Sequence, residues 1–504
     1  MQRGHGTAER LLAGGMSIAS LFPPDSFSID GEENADMERR IVLNDSLGPK
    51  RFGKMFPEAE PFQPPDEALQ ELGSAMGDSG ARDADLPAGF TYLGQFIDHD
   101  ITFDKTLGFP PIEDPDLIDQ ARTPNLDLDS LYGLGPQIQP ELYEPDAPGR
   151  ARFKIGTTVP VPENGLPDPL PNDLPRDPVH GCRAAIIADS RNDENLVIAQ
   201  TALLFLKFHN RVHDTLPKPP DGKNQFGTVS RLVRWHYQWI ILNDFLPRVI
   251  DQEILKDIRA YGRKFYTFDR EPGGRLFMPL EFSVAAYRFG HSLIRNGYDH
   301  NRVFPNATLA QLFTFTGGGG FAGQVVLPAN WIIDWRRFYE VDDPGLLNVA
   351  RKIDTKLAAT LHDLPCIPAD EPVSLAVRNL LRGSRFELPA GQDVAELMGI
   401  TPLKPDELAS GSEGEIVRKH GFHERTPLWF YILKEAEVHA DGNRLGAVGS
   451  RIVGEVFVGL LEGDPRSFLR AEPGWTPTLP AESPGDFTMA DLLRFVDDIN
   501  PIGP

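Results

Sequence analysis

A cluster of polar side chains interrupts an apolar stretch near residue 100, where residues 91–104 read TYLGQFIDHDITFD. Gln95 and His99 are four positions apart, so on a helix they share one face, with Asp98 and Asp100 on either side. The apolar surroundings indicate burial, and buried polar groups are costly unless they are paired or bound to something. The stretch therefore predicts a functional site on a helix near 88–104. Asp104, for which the sequence offers no partner, is interpreted as a helix-end charge.

Three further clusters place two chemically active side chains three positions apart, a spacing that puts both on one helix face. A histidine in an otherwise apolar helix is a reasonable axial ligand for a haem iron, although core packing is the alternative. Acidic residues at a helix start also suit simple capping of the helix dipole. The pairs are Arg191 and Glu194 in ADSRNDEN, Arg288 and His291 in YRFGHSLIR, and Asn379 and Arg382 in VRNLLRGSR.

Alternating oxygen-bearing side chains occur in TPNLDLDSLYG, residues 123–133. Thr123, Asp127 and Asp129 alternate with Asn125 between them, and Asp100 is a further carboxylate elsewhere in the chain. Calcium prefers six to eight oxygen ligands, so this set predicts a calcium site. The fixed glycine and terminal glutamate of an EF-hand are missing, and an acidic surface loop is the alternative.

Two other patterns are weak. His209 and His213 in FHNRVH have the spacing of a zinc protease helix, but Asn210 stands where the catalytic glutamate would follow. The glycine-rich residues 314–323 are followed by no Gly-Lys-Ser/Thr, so a flexible loop is a better interpretation than a phosphate-binding loop.

Composition limits the classes of partner. The 504 residues carry a net charge of −23, which argues against nucleic acid and anionic membranes. No apolar run approaches the roughly 18 residues of a membrane span. The stretch Leu11–Phe22 is at most a feeble signal peptide, so the compartment stays open, as does the oligomeric state. The two cysteines, Cys182 and Cys366, cannot form a disulfide scaffold, and whether they pair is open.

The hydrophobic pattern predicts a mainly α fold with little β structure. We expect an N-terminal arm over residues 1–60, then one large helical body over 61–504 whose N-terminal third, 105–182, is rich in loops. Apolar periodicity predicts long buried helices from Asp193 and over 227–250 and a third over 283–295. The remaining helices are predicted near 307–313, 345–360, 371–382, 393–398, 404–412 and 445–461, and residues 427–433 fit either helix or strand.

Taken in order, these clusters resemble the animal-type haem peroxidases of the peroxidase–cyclooxygenase superfamily, over roughly residues 60–465. The short chain with few cysteines is more similar to bacterial members of that family. The resemblance implies a peroxidase that reduces hydrogen peroxide through a ferryl intermediate and oxidises halide, thiocyanate or small aromatic donors. It implies haem b and one calcium ion as cofactors.

The resemblance also implies a role for each residue. Gln95, His99 and Arg191 match the distal catalytic groups, and Asp98 and Glu194 match the carboxylates that form esters with haem, the Glu194 ester being less certain. His291 matches the iron ligand, Asn379 its hydrogen-bond partner, and Arg288 and Arg382 the propionate partners. The calcium ligands are matched by Asp100, Thr123, Asn125 through its carbonyl, Asp127 and Asp129.

One departure from the family pattern is Asn195, which stands where some members carry a methionine that links to haem through sulfur. Without sulfur that link cannot form, so we expect iodide, bromide or thiocyanate to be better donors than chloride. A fatty-acid dioxygenase of the cyclooxygenase type remains a rival. Such enzymes carry a tyrosine three positions before the proximal histidine, where this chain has Arg288. A zinc hydrolase and a non-catalytic haem-binding protein are the alternatives from other classes.

Overall fold

Helices make up most of the regular structure in the computed structural model. The structure describes residues 52–77, 81–104, 118, 120–145, 152–176, 184–217, 225–268, 276–317, 326–364 and 371–503. The chain divides into two units, Met1–Leu47 and Gly48–Pro504. The first unit, with the stretch Leu11–Phe22, lies outside the described residues. So do both cysteines and most of the glycine-rich stretch.

The described residues form sixteen α-helices. They are α1 Asp66–Ala75, α2 Gly89–Ile101, α3 Asp129–Tyr132, α4 Leu196–Thr215, α5 Phe226–Ile240, α6 Leu246–Val249, α7 Gln252–Tyr261, α8 Leu309–Leu312, α9 Leu375–Arg385, α10 Gly391–Leu397, α11 Pro405–Leu408, α12 Gly414–Lys419, α13 Leu428–Ala440, α14 Ala447–Gly463, α15 Phe468–Ala471 and α16 Met489–Val496. None of the helices in the described ranges is both long and apolar enough to cross a bilayer.

Strands are few and short, as the sequence predicts. Three two-stranded sheets are present in the described ranges. In the first, β1 Phe52–Gly53 runs parallel to β3 Met278–Pro279. The others are antiparallel pairs: β2 Asp83–Pro87 with β6 Val349–Arg351, and β4 Gly297–Tyr298 with β5 Ala307–Thr308. The mainly α prediction is confirmed.

Aromatic packing fixes the position of α2. Phe96 is fully buried, and its ring stacks on Phe205 of α4 with centroids 4.6 Å apart. Tyr237 of α5 meets the Phe96 ring edge-on at 6.2 Å. Aromatic pairs of this kind add stability beyond the area they bury. The contacts lock α2 against the two long helices that follow it in the fold.

The predicted helix over 283–295 is not a regular α-helix. A π-helical turn, Glu281–Ala285, leads into a 3₁₀-helix, Ala286–His291. The backbone of Ala285 lies outside helical geometry, at φ −125° and ψ −73°, so the two pieces meet at a break. A 3₁₀-helix has three residues per turn, which brings Arg288 and His291 into line on one face.

The prediction of a helix over 345–360 is wrong. Residues 349–351 form strand β6, in which only Ala350 is fully buried, and Ala359–His362 is a single 3₁₀ turn. Pairing with β2 overrides the apolar pattern there. Residues 427–433, ambiguous in sequence, begin helix α13.

Residues 52–60, assigned by sequence to the N-terminal arm, pack on the helical body. The buried carboxylate of Glu281 accepts hydrogen bonds from the backbone N–H groups of Met55 and Phe56, at 2.8 and 3.0 Å. These bonds attach the segment to the π-helical turn. The point at which the arm ends stays a prediction.

Candidate active site

One face of α2 is open while the rest of the helix is buried. Gly94, Gln95 and Asp98 are half-buried, and His99 and Asp100 are 4 % and 0 % exposed. Asp98 accepts a hydrogen bond from the hydroxyl of Thr102 at 3.0 Å. The open strip therefore carries polar groups that a bound molecule can reach.

His99 has a defined tautomer. Its Nδ1 lies 2.9 Å from Oδ1 of Asn192, an oxygen that can only accept, so Nδ1 carries the proton. Nε2 then carries a free lone pair and lies 3.8 Å from Oε2 of Glu194. Burial lowers the pKa of His99, and the nearby Arg191 lowers it further. The neutral imidazole is the form that can accept a proton.

Arg191 lies beside His99 and is held from two sides. Its Nε and Nη2 donate to the two oxygens of Asp189, at 3.0 and 2.7 Å, and Nη2 also donates to the His99 carbonyl at 2.9 Å. The guanidinium carbon lies 4.2 Å from the ring centre of Phe103. Burial would raise the pKa of Asp189, but Arg191 and Arg122 outweigh it and hold that pKa well below its ordinary value.

A chain of amide hydrogen bonds sets the orientation of Gln95. The backbone N–H of Ile198 donates to Oδ1 of Asn195, which caps α4, at 3.0 Å. Nδ2 of Asn195 must then point away and donates to Oε1 of Gln95 at 3.2 Å. Nε2 of Gln95 in turn donates to Oε2 of Glu194 at 3.1 Å. A backbone donor at one end thus fixes both amides and leaves no freedom to flip.

A second polar face lies on the 3₁₀-helix Ala286–His291. Arg288, Gly290 and His291 are half-buried there. Burial, with a contribution from Arg288, lowers the pKa of His291 to about 3, so the imidazole is neutral at physiological pH. The side-chain amide of Asn379 lies 2.8 Å from Nδ1 of His291. Nε2 of His291 forms no hydrogen bond within the described part of the chain.

Tyr287 connects the two faces. Its hydroxyl donates to the backbone carbonyl of Gly94 on α2 at 3.1 Å. The ring stacks on Phe282 with centroids 4.8 Å apart, and it is buried. This bond joins the open strip of α2 to the segment that contains His291.

Arg382 and Asp104 form an ion pair between α9 and the residues after α2. The interpretation of Asp104 as an unpartnered helix-end charge is therefore wrong, because its partner lies 278 residues along the chain, beyond any local pattern. Arg288, in contrast, has no carboxylate partner within the described ranges, and its Nε donates to the Ser283 carbonyl at 2.9 Å.

The predicted calcium ligands cluster next to α2. One carboxylate oxygen each of Asp100, Asp127 and Asp129 lie within 4.8 Å of one another. Burial, and then the Asp129 and Asp127 carboxylates, raise the pKa of Asp100 well above its ordinary value. Its buried Oδ1 has no hydrogen-bond donor among the described residues, and neither has Oδ1 of Asn125. Thr123 donates to Asp129 at 3.3 Å. Two buried carboxylates, a half-buried third and an orphaned oxygen on Asp100 fit a cation.

The histidines with zinc-protease spacing have structural contacts. Nδ1 of His209 lies 3.0 Å from the hydroxyl of Tyr132, inside an aromatic cluster with Phe153 and Phe226. Nδ1 of His213 lies 3.1 Å from Asp214. Neither belongs to a group of metal-ligating side chains in the ranges that the structure describes.

Sequence reasoning missed three residues of this site: Asn192, Asp189 and Tyr287 as a connecting residue. Asn192 and Asp189 lie inside the ADSRNDEN cluster, and an aspartate two positions before an arginine is a signal that could have been used. Tyr287 carried no signal, because its contact joins segments 193 residues apart.

Comparison with known proteins finds similarity to peroxidases. Residues 115–314 match the family model of the animal haem peroxidase. The chorion peroxidase of Drosophila melanogaster is 26 % identical over 305 residues, 57 % of this chain and 35 % of that protein. A peroxidase-like protein of Margaritifera margaritifera is 30 % identical over 188 residues, 37 % of this chain and 23 % of the relative.

By this match and these relatives, the chain is similar to the animal haem peroxidases. The fold agrees: peroxidase A from Dictyostelium discoideum superimposes with a TM-score of 0.62 at 16 % identity, covering 90 % of this chain and 94 % of that one. A fatty acid alpha-dioxygenase of Arabidopsis thaliana has a TM-score of 0.57 at 13 % identity, with 88 % and 75 % covered. The chain spans about a quarter to a third of the length of the Margaritifera and Drosophila relatives.

Proposed function

We propose that this protein binds haem b between α2 and the segment Ala286–His291, reduces hydrogen peroxide, and oxidises a small electron donor. The observation that carries the proposal is the Tyr287–Gly94 hydrogen bond, because it joins the segment that contains His291 to the strip of α2 beside His99. Haem bound there supplies the redox chemistry, taking oxidising equivalents from peroxide and passing them to the donor.

His291 is the proposed iron ligand. Turning the Asn379 amide by half a turn exchanges two atoms of similar size and puts Oδ1 beside Nδ1 of His291. Nδ1–H then donates to Asn379, and Nε2 keeps the lone pair that a metal needs. A partner on the second nitrogen is the usual arrangement for a ligating histidine.

His99 is the proposed acid–base group. Asn192 keeps the proton on Nδ1, so Nε2 accepts a proton from hydrogen peroxide and returns it to the departing oxygen, which leaves as water. Gln95, fixed by Asn195, lies one turn earlier on the same face and orients the bound peroxide.

Arg191 is the proposed electrostatic group. It is positioned by Asp189 before the reaction begins, so its charge needs no reorganisation as the oxygen–oxygen bond breaks. Negative charge that develops on the departing oxygen is stabilised by this fixed cation.

The remaining polar groups would hold the haem edge. Asp98 on the open strip and Glu194, whose side chain is 45 % exposed, are the two carboxylates proposed to form esters. Arg288, which lacks a carboxylate partner in the described ranges, would pair with a propionate. Arg382 already forms an ion pair with Asp104, so it would bind a propionate while also pairing with that carboxylate.

Calcium is the proposed occupant of the Asp100–Asp127–Asp129 group. A divalent cation would neutralise carboxylates that otherwise repel each other in a buried setting. Arg466 and Arg122 already pair with Asp127 and Asp129, so the cation mainly compensates Asp100. Because Asp100 directly follows His99, the ion would hold α2 in register.

Asn195 bears on the choice of donor. It has no sulfur, so it forms no sulfonium link, and iodide, bromide or thiocyanate are the proposed halide-type donors, together with small aromatic molecules. The cap on α4 and the bond to Gln95 are the roles that this asparagine takes instead.

Reconstitution with haem tests the proposal. The loaded protein should oxidise a small phenol and iodide when peroxide is added, and His99→Ala should keep the haem but lose about 10²–10⁴-fold in rate. Haem-loaded protein that is inert to peroxide, yet consumes oxygen with a fatty acid, would contradict the proposal and favour the dioxygenase.

A further inference from the structure

The tyrosines of this chain are distributed unevenly between core and surface. All ten lie in the described residues, and nine of them are at most 7 % exposed. The exception is Tyr261, the last residue of α7, at 80 %. A large aromatic side chain gains free energy from burial, so one left almost wholly in water has a phenol that any dissolved reagent can meet.

The surroundings of Tyr261 leave room for a second ring. The next residue, Gly262, has φ +80°, and a Cβ built on it meets nothing within 4 Å. No hydrogen bond or ring contact involves the Tyr261 side chain in the described ranges. The ring therefore projects from the helix end with open space beside it.

Charge also favours approach of another molecule of the same chain. Residues 252–264 carry two acidic and four basic side chains, Glu253, Asp257, Lys256, Arg259, Arg263 and Lys264, on a chain of net charge −23. A basic segment on an acidic molecule attracts the acidic surface of a second copy, and complementary charge raises the rate of encounter.

We propose that Tyr261 is a site of oxidative modification, at which two copies of the chain become joined by a dityrosine bond during turnover. The inference rests on the proposed peroxidase function, which supplies the oxidant. Peroxide oxidises two molecules of a small phenol, each of which loses one hydrogen atom, and the peroxide becomes two waters. Each phenoxyl radical then takes the phenolic hydrogen atom of one Tyr261 and is restored to phenol.

The coupling step conserves atoms and electrons. Two Tyr261 radicals join through one new carbon–carbon bond between ring positions next to the hydroxyls. The hydrogen atoms on those two carbons move to the phenolic oxygens, which restores both aromatic rings. The sum is two tyrosines and one hydrogen peroxide giving one dityrosine and two waters.

The test compares wild type with Tyr261→Phe and with Tyr266→Phe, a buried tyrosine five positions along. Haem-loaded protein with blocked thiols is treated with peroxide and a trace of small phenol. Wild type and Tyr266→Phe should give a covalent dimer that resists reductant. Mass spectrometry should find two Ala260–Arg263 tryptic peptides joined with loss of two hydrogens. Tyr261→Phe should lose the dimer and turn over the phenol at the wild-type rate.

A second arm separates this inference from the proposed function. A light-driven ruthenium oxidant with persulfate removes one electron from accessible phenols without haem, and it should also join wild type through Tyr261. If the ruthenium oxidant gives the Tyr261 dimer but haem-loaded protein does not turn over phenol with peroxide, the peroxidase function is overturned. The assignment of Tyr261 as the coupling site would then still stand. Phenol turnover with no dimer, or an equal dimer yield in Tyr261→Phe, would overturn the inference.

Discussion

Asn195 donates its side-chain amide to Oε1 of Gln95 at 3.2 Å, while its own oxygen caps α4. One side chain thus connects the start of a long buried helix to the open face of α2. Gln95 passes the orientation on to Glu194 at 3.1 Å. Asn195 therefore has a defined positioning role.

Replacing Asn195 by Asp should separate these two roles. An aspartate oxygen can still cap α4, but the second oxygen cannot donate to Gln95 and repels its carbonyl. We expect kcat/KM for peroxide to fall about three- to tenfold, which corresponds to the free energy of about one hydrogen bond, with little change in thermal stability. Asn195→Ala, which loses the cap as well, should in addition cost about 1 kcal/mol of unfolding free energy. Equal kinetics in wild type and Asn195→Asp would show that the bond to Gln95 has no role.

Replacing His291 by Ala should abolish haem retention, because this removes the proposed iron ligand. Absorption spectra after reconstitution and gel filtration measure this, through the Soret band. His420→Ala is the control, since that histidine pairs with Glu71 on the surface and should leave the spectrum unchanged. A normal Soret band in the His291 variant would refute the ligand assignment.

Calcium should stabilise the wild-type protein and a chelator should destabilise it. Binding to the folded state alone adds about 2.7 kcal/mol when free calcium is 100 times its dissociation constant. Asp100→Asn removes the carboxylate whose Oδ1 is orphaned, so melting curves of this variant should respond weakly to calcium. The exposed Asp406→Asn should behave as wild type. A wild-type melting temperature that does not change with calcium concentration would contradict the proposed calcium site.

Glu435 predicts a pH-dependent stability. Burial raises its pKa to about 7, although it accepts hydrogen bonds from Val448 and Gly449 at the start of α14. Since the folded pKa exceeds the unfolded one, folding takes up a proton between them, and unfolding free energy falls as pH rises from about 4.5 to 7. Glu435→Gln avoids this loss, so its stability relative to wild type should increase by about 2–3 kcal/mol over that range. Denaturant titrations at several pH values measure this change, with the exposed Glu396→Gln as control. A stability difference between Glu435→Gln and wild type that stays constant with pH would contradict the raised pKa of Glu435.

The sequence predicted those parts of the molecule that depend on local pattern. Periodicity located α2, α4 and α5, and the short spacing of Arg191 and Glu194 grouped two side chains that both lie beside His99. Sequence patterns failed where contacts between distant residues determine the structure. Strand β6 forms because β2 pairs with it, and Asp104 forms an ion pair with Arg382 of α9. The break at Ala285 was also missed, because apolar periodicity does not distinguish π- and 3₁₀-turns from an α-helix.

Rapid mixing tests most directly whether His99 and Arg191 act on peroxide at a haem held by His291. Haem-loaded wild type, His99→Ala and Arg191→Gln are mixed with hydrogen peroxide, and the Soret band is followed in time. All three should show the same spectrum before mixing. Wild type should then change rapidly in proportion to peroxide concentration, while His99→Ala should be about 10²–10⁴-fold slower and Arg191→Gln about 10²–10³-fold slower. Rates that are equal in the three proteins would contradict the account.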